Sequence, residues 1–157
     1  MPPSSAASNP ALAPVLANVL AERGASALVV CGQDGLDEIT TAARTNVWIT
    51  ESGGVRQETL DTADFGLARS AQDALRGGDA AYNATVVHRV LAGEAGAARD
   101  AVLANAAGAL AAHRGFGGGL RDAFATCLED ARLAIDSGAA ATTLESWLKL
   151  ASSLAGR

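Results

Sequence analysis

The chain has 157 residues, enough for one domain with a core of its own. A net charge of −5, scattered arginines and a single lysine, Lys149, argue against nucleic acid as a partner, and 4% aromatic residues give no platform for stacked bases. No apolar run reaches the roughly 18 residues of a membrane span. The first residues have no basic or apolar leader segment, and Cys31 and Cys127 lie far apart without disulfide or zinc spacing, so the sequence predicts a soluble cytoplasmic protein with no membrane partner.

Residues 1–10, rich in Pro, Ser and Asn, read as a flexible or extended N-terminal segment, and 11–157 as one folded unit. Ala11 to Arg23 has a helical pattern, with Leu12, Val15, Val19 and Leu20 on one face, a start near Ala13 set by Pro14, and a left-handed stop at Gly24. Ala25 to Cys31 reads as a buried strand. Thr45 to Thr50 is a β-branched run, Glu51-Ser52-Gly53-Gly54 a turn, and Val55 to Leu60 a returning strand. Leu60 to Ser70 is irregular, and Gln72 to Leu75 suits a short helix.

From Asp79, an N-cap, the pattern is helical. Ala80, Ala84, Val87 and Leu91 form one stripe, ended by Gly93. A second helix runs from Ala97 to His113, with one stripe of Val102, Ala106 and Ala109 and another of Leu103, Ala107 and Leu110; so many alanines predict close packing. Gly115 to Gly119 follows a helix rather than a strand and carries no Ser, Thr or Lys, so it reads as a linker and not a phosphate loop. Leu120 to Ser137 turns Phe124, Leu128, Ala131 and Ile135 inward. Ala139 to Leu154 places Leu144, Trp147, Leu148, Ala151 and Leu154 on one face. His88 and His113 read as surface or helix-end residues, with no partner spaced for a triad. A strand of the Ala25–Cys31 type cannot stand alone, so it reads as the last helix–strand unit of a larger wound α/β sheet.

The segment with most chemistry is Val29-Val30-Cys31-Gly32-Gln33-Asp34-Gly35-Leu36-Asp37-Glu38-Ile39, three carboxylates within five residues beyond the end of a buried strand. Ligands of open α/β sheets bind at that end of a strand. The cluster suggests a divalent cation, but short acidic loops are common, and the same residues could instead cap a helix or face solvent.

This segment resembles the VVHGxDGLDE motif of the anthranilate phosphoribosyltransferases. Further likenesses follow in order: Asp64-Phe65-Gly66-Leu67 to DFGL, Gly77-Gly78-Asp79-Ala80 with Asn83-Ala84 to GGDAxxNA, Val90 to Gly93 with Arg99 to Ala107 to VLxG…RDAVxLNAA, and Ala134 to Ala140 to IDSGxA. They cover about residues 11 to 151. The resemblance implies a partial α/β catalytic domain of nucleoside phosphorylase/phosphoribosyltransferase type, its carboxyl-terminal part, with a few-stranded sheet packed against several helices.

It also implies an activity: a magnesium-dependent transfer of phosphoribosyl from phosphoribosyl pyrophosphate to anthranilate, in tryptophan biosynthesis. By matched position, Asp37 and Glu38 are the implied Mg2+ ligands; no catalytic residue is assigned. The family's upstream GTGGD pyrophosphate loop has no counterpart here. The expectation is therefore a chain that is inactive alone and needs a complementary half, with self-association or a complementary subunit as its partner. The alternative is an inactive remnant serving as a binding domain. Three positions depart from the family pattern: Cys31 for its His, and Thr62 and Ala97 for prolines. Cys31 has no basic neighbour in sequence and is not read as a nucleophile.

Overall fold

The computed structural model describes residues 5–6 and 10–156. The expected flexible segment, residues 1–10, falls outside the described residues except for Ser5, Ala6 and Pro10. Four strands form one sheet in the order β1 (Ser5–Ala6), β2 (Ala27–Gly32), β3 (Thr45–Glu51), β4 (Gly54–Leu60). β1 runs parallel to β2 and is joined to it through helix α1 (Ala13–Glu22); β3 and β4 are each antiparallel to the strand before. The β3–β4 hairpin closes through Ser52 (φ 53°) and Gly53 (φ 78°), two left-handed residues of the kind that match strand twist in tight hairpins.

The sheet separates two cores by strand alternation. Val29, Cys31 and Trp48 face α1, whereas Leu28, Val30, Val47 and Ile49 face the opposite layer. That layer is built from α3 (Ala97–Arg114) and α4 (Leu120–Asp136), with α2 (Ala80–Leu91) and α5 (Ala139–Ala155) flanking them. Phe124, Leu128, Ala131 and Ile135 of α4 are buried, and the Phe124 ring meets Phe65 edge-on at 4.8 Å. Asp79 caps α2 by accepting a hydrogen bond from the Tyr82 amide at 2.8 Å.

Three helix faces differ from the sequence pattern. α1 packs Ala13, Ala17 and Ala21 on the sheet and leaves Leu12, Val15, Leu16 and Val19 exposed. Small side chains let the helix axis come close to the strands, so the methyl stripe wins over the larger apolar one. In α2 the buried residue is Val90, while Val87 is exposed. In α3 the packed face runs through Ala101, Ala104, Ala107, Gly108 and Ala111, with Leu103 and Ala112 beside it, and Val102 points outward. The apolar face of α5 stays open: Trp147, Leu148, Leu150 and Leu154 are all exposed.

The connection after β4 is a single 3-10 turn, Thr62–Phe65, followed by another at Gln72–Leu75. Thr62 is buried, and its hydroxyl donates to the Thr40 carbonyl at 3.2 Å. The glycine-rich linker between α3 and α4 is anchored by buried Phe116, whose N–H donates to Glu51 Oε1 at 3.1 Å.

A carboxylate loop at the end of the second strand

β2 is buried along its whole length and ends at Gly32, where the chain turns back through the acidic loop. The loop closes on itself: the Gly32 N–H donates to the Leu36 carbonyl at 2.7 Å and the Gly35 N–H to the Gly32 carbonyl at 3.0 Å. Gly35 takes a left-handed φ of 92° that favours glycine. A β-carbon on Gly32 would collide with Asp34 Oδ1 and lie 3.2 Å from the Leu36 carbonyl, so a side chain there would displace the Asp34 carboxylate from its place in the loop.

The three carboxylates separate into two roles. Asp34 is committed to the loop. Its Oδ1 accepts from the Leu36 N–H at 3.3 Å and its Oδ2 from the Thr40 hydroxyl at 2.7 Å. Asp37 and Glu38 are exposed at the tip. No ion pair with a protein cation involves either one among the described residues. Burial pushes the neighbouring Cys31 thiol up, and Asp34 and Asp37 add to the rise, so Cys31 stays protonated and unreactive as a nucleophile.

The loop is fixed by α3, which packs on the face of the sheet opposite α1. Asn105 Oδ1 accepts from the Ile39 N–H at 3.0 Å, and its Nδ2 donates to the Ile39 carbonyl at 3.0 Å and to the Ala101 carbonyl at 3.0 Å. Glu38 Oε2 lies 3.4 Å from the same Nδ2. Asp37, Glu38, Ile39, Asn105 and Gly108 border a recess of about 240 Å³ floored by Leu28 and Val30.

Two unneutralised carboxylates beside a recess at a strand's carboxyl end fit a hard divalent cation. Magnesium favours one or two carboxylates, with waters and phosphate oxygens completing its shell. Among the described residues no group of three or more His, Cys, Asp or Glu converges, so the donor set here is a pair and not an all-protein cage. A larger groove of about 420 Å³ lies between α2 and the start of α3, but Arg89 and Arg99 on its wall are already paired with Glu94 and Asp136. His88 and His113 are exposed in the last turns of α2 and α3, away from the loop. Asn105 was not singled out by the sequence pattern. Its signal was present: an asparagine and a glycine three residues apart on one face of an alanine-rich helix, both poor helix formers.

A four-stranded sheet with helices on both faces and a carboxylate loop at a strand end defines an α/β domain. The family model described as "Glycosyl transferase family, a/b domain" matches residues 6–141, and the chain belongs to that family. Its curated relatives include the anthranilate phosphoribosyltransferases of Rhodococcus jostii, 55% identical over 147 residues, and Salinispora arenicola, 54% identical over 140 residues. These matches take in 93% and 89% of this chain but only 41% and 40% of the relatives, so the chain spans about two fifths of their length. Among solved structures, the anthranilate phosphoribosyltransferase of Thermus thermophilus matches with a TM-score of 0.73 at 32% identity, over 92% of this chain and 41% of that one. The Saccharomyces cerevisiae enzyme, solved in complex with PRPP and Mg, shares the fold with a TM-score of 0.83 at 24% identity, over 94% of this chain and 42% of that one.

Proposed function

We propose that this chain supplies the cation-binding part of an anthranilate phosphoribosyltransferase site, acting together with a segment equivalent to the remaining three fifths of its relatives. The reaction moves phosphoribosyl from phosphoribosyl pyrophosphate to the amine of anthranilate and releases pyrophosphate, a step of tryptophan biosynthesis. The observation that carries the reading is the state of Asp37 and Glu38: adjacent, exposed, without an ion-pair partner among the described residues, and mounted on a loop whose backbone is held by Asp34 and Asn105.

Asp37 and Glu38 are the residues that would hold Mg2+. When bound, the ion supplies positive charge to the pyrophosphate oxygens as negative charge builds on them. The loop's own part is to hold both carboxylates exposed at the recess. Asp34 serves this by occupying itself with the Leu36 amide and the Thr40 hydroxyl rather than with the cation. Acceptor recognition is assigned to the complementary segment, because the recess at the loop offers little polar surface beyond Asp37, Glu38 and Asn105. The cytoplasm is the compartment this reading implies. It agrees with free, buried Cys31 and Cys127, and among the described residues no helix is long and apolar enough to cross a membrane.

The exposed apolar residues of α1 and α5 support the need for a covering segment. They also support the second reading, a binding domain without catalysis. Complementation separates the two. The chain is mixed with the part of the Rhodococcus jostii relative that lies outside the matched span, and anthranilate consumption is followed with phosphoribosyl pyrophosphate and magnesium. Turnover is expected only in the mixture, reduced about 100-fold or more by Asp37→Asn or Glu38→Gln, the scale of losing one stabiliser of developing charge. A stable complex without turnover would establish the binding-domain reading instead.

A further inference from the structure

We propose that Asn105 is the positioning residue of the cation site: it holds the backbone directly after Glu38 and so sets where the Asp37–Glu38 pair points. The inference rests on the assignment of that pair as the cation ligands.

The hydrogen-bond pattern fixes the amide uniquely. Oδ1 must face the Ile39 N–H, a donor, and Nδ2 must face the carbonyls of Ile39 and Ala101, which are acceptors. The two Nδ2 hydrogens are satisfied by those carbonyls at 3.0 Å each, and Glu38 Oε2 at 3.4 Å receives only a shared, weaker contact. Glu38 is therefore oriented without being neutralised, which is what a cation ligand requires. Both backbone groups of Ile39 are tied to one side chain, and the Ile39 side chain is itself buried. The residue after the acidic pair cannot rotate without breaking two hydrogen bonds and leaving its packed position.

Chemistry at this position is narrow. An aspartate has the same shape and keeps an acceptor for the Ile39 N–H, but it sets a carboxylate against two carbonyls and against Glu38. An alanine removes the clamp altogether. Groups that orient metal ligands from behind typically change metal affinity by about 10–100-fold when lost.

The test uses the full 157-residue chain and Mn2+ as a paramagnetic stand-in for magnesium, read by line broadening of backbone amides in NMR spectra. In the unaltered chain, broadening is expected to concentrate on Gly35 to Ile39, beyond that at an exposed carboxylate such as Asp122, and Glu38→Gln is expected to abolish it. Asn105→Asp and Asn105→Ala are each expected to raise the Mn2+ concentration needed for half-maximal broadening by 10-fold or more. Leu103→Ala, a cavity variant two residues away on the same helix, is expected to lower thermal stability while leaving the Mn2+ response unchanged. Loss of response in Leu103→Ala equal to that in the Asn105 variants would reduce Asn105 to a structural role. An unchanged response in both Asn105 variants, with Glu38→Gln still inactive, overturns the positioning role alone. Absence of loop broadening in the unaltered chain overturns the cation reading and this inference with it.

Discussion

The terminal methyl of Ile39 occupies the space that a β-carbon on Gly108 would need, 2.5 Å away. This contact lets α3 approach the carboxylate loop closely enough for Asn105, one turn earlier, to reach the Ile39 backbone. Gly108→Ala sets two effects against each other. Replacing glycine inside a helix gains about 1 kcal/mol, and overpacking a filled site costs about 1–3 kcal/mol. The net expectation is a loss of about 1 kcal/mol in urea unfolding. A gain in stability would show that Ile39 swings freely into the adjoining recess.

Thr62 and Ala97, where the motif resemblance implies prolines, are expected to respond differently to a proline. Ala97 is the first residue of α3, where a proline's fixed φ fits and its missing N–H is no loss. Ala97→Pro is expected to raise stability by about 0.4–1 kcal/mol through the unfolded chain. Thr62→Pro deletes the buried hydroxyl that donates to the Thr40 carbonyl and is expected to lower it by about 1 kcal/mol. Thermal melts of the two variants side by side check the opposite signs.

Asp61 gives a pH dependence of known sign. Burial works to raise its carboxyl, but the Ala63 N–H and the guanidinium groups of Arg69, at 2.6 Å, and Arg44 outweigh this and hold it below its usual range. A depressed carboxylate stabilises the fold above its unfolded pKa of about 3.9 and loses that contribution as the pH falls through the lower folded value. Asp61→Asn keeps the cap to Ala63 but not the charge. It is expected to cost up to about 1 kcal/mol at pH 7, since both arginines are solvent-exposed, with the difference shrinking below about pH 4. Unfolding measured at both pH values gives the comparison; a difference that grows on acidification contradicts the assignment.

The two faces of α1 are expected to separate stability from association. Ala17→Leu on the sheet side overfills a closed contact and should cost about 1–3 kcal/mol. Val15→Lys with Val19→Glu on the open side should change stability by less than about 0.5 kcal/mol each, while lowering the binding of an apolar dye. Equal destabilisation by both sets would mean that the outer face is packed in solution.

Much of the fold was legible from the chain where large apolar residues coincide with burial. The run Ala27–Cys31, the Val47–Ile49 stretch of β3 and the Phe124–Ile135 face of α4 all follow that rule, whereas the exposed β4 was legible from the Ser52–Gly53 turn. It failed on α1 because hydrophobicity favours Leu and Val, whereas the sheet selects Ala13, Ala17 and Ala21 for close approach. The acidic pair of the candidate site was located by its motif, but not the division of labour within it. That Asp34 serves the loop depends on Thr40, and that Ile39 is clamped depends on Asn105, 66 residues away. Contacts at that separation exist only after the sheet and α3 have docked, so no local pattern carries them.

The sheet's two margins are unlike. β4 displays Arg56, Gln57 and Glu58 along its exposed run, and Arg56 is tied to Glu58 at 2.9 Å. Charge along a border strand discourages a foreign strand from annealing to it. The charged hairpin margin therefore resists the addition of a further strand, which gives the four-stranded sheet a polarity. Two copies of this chain are accordingly discouraged from pairing hairpin to hairpin.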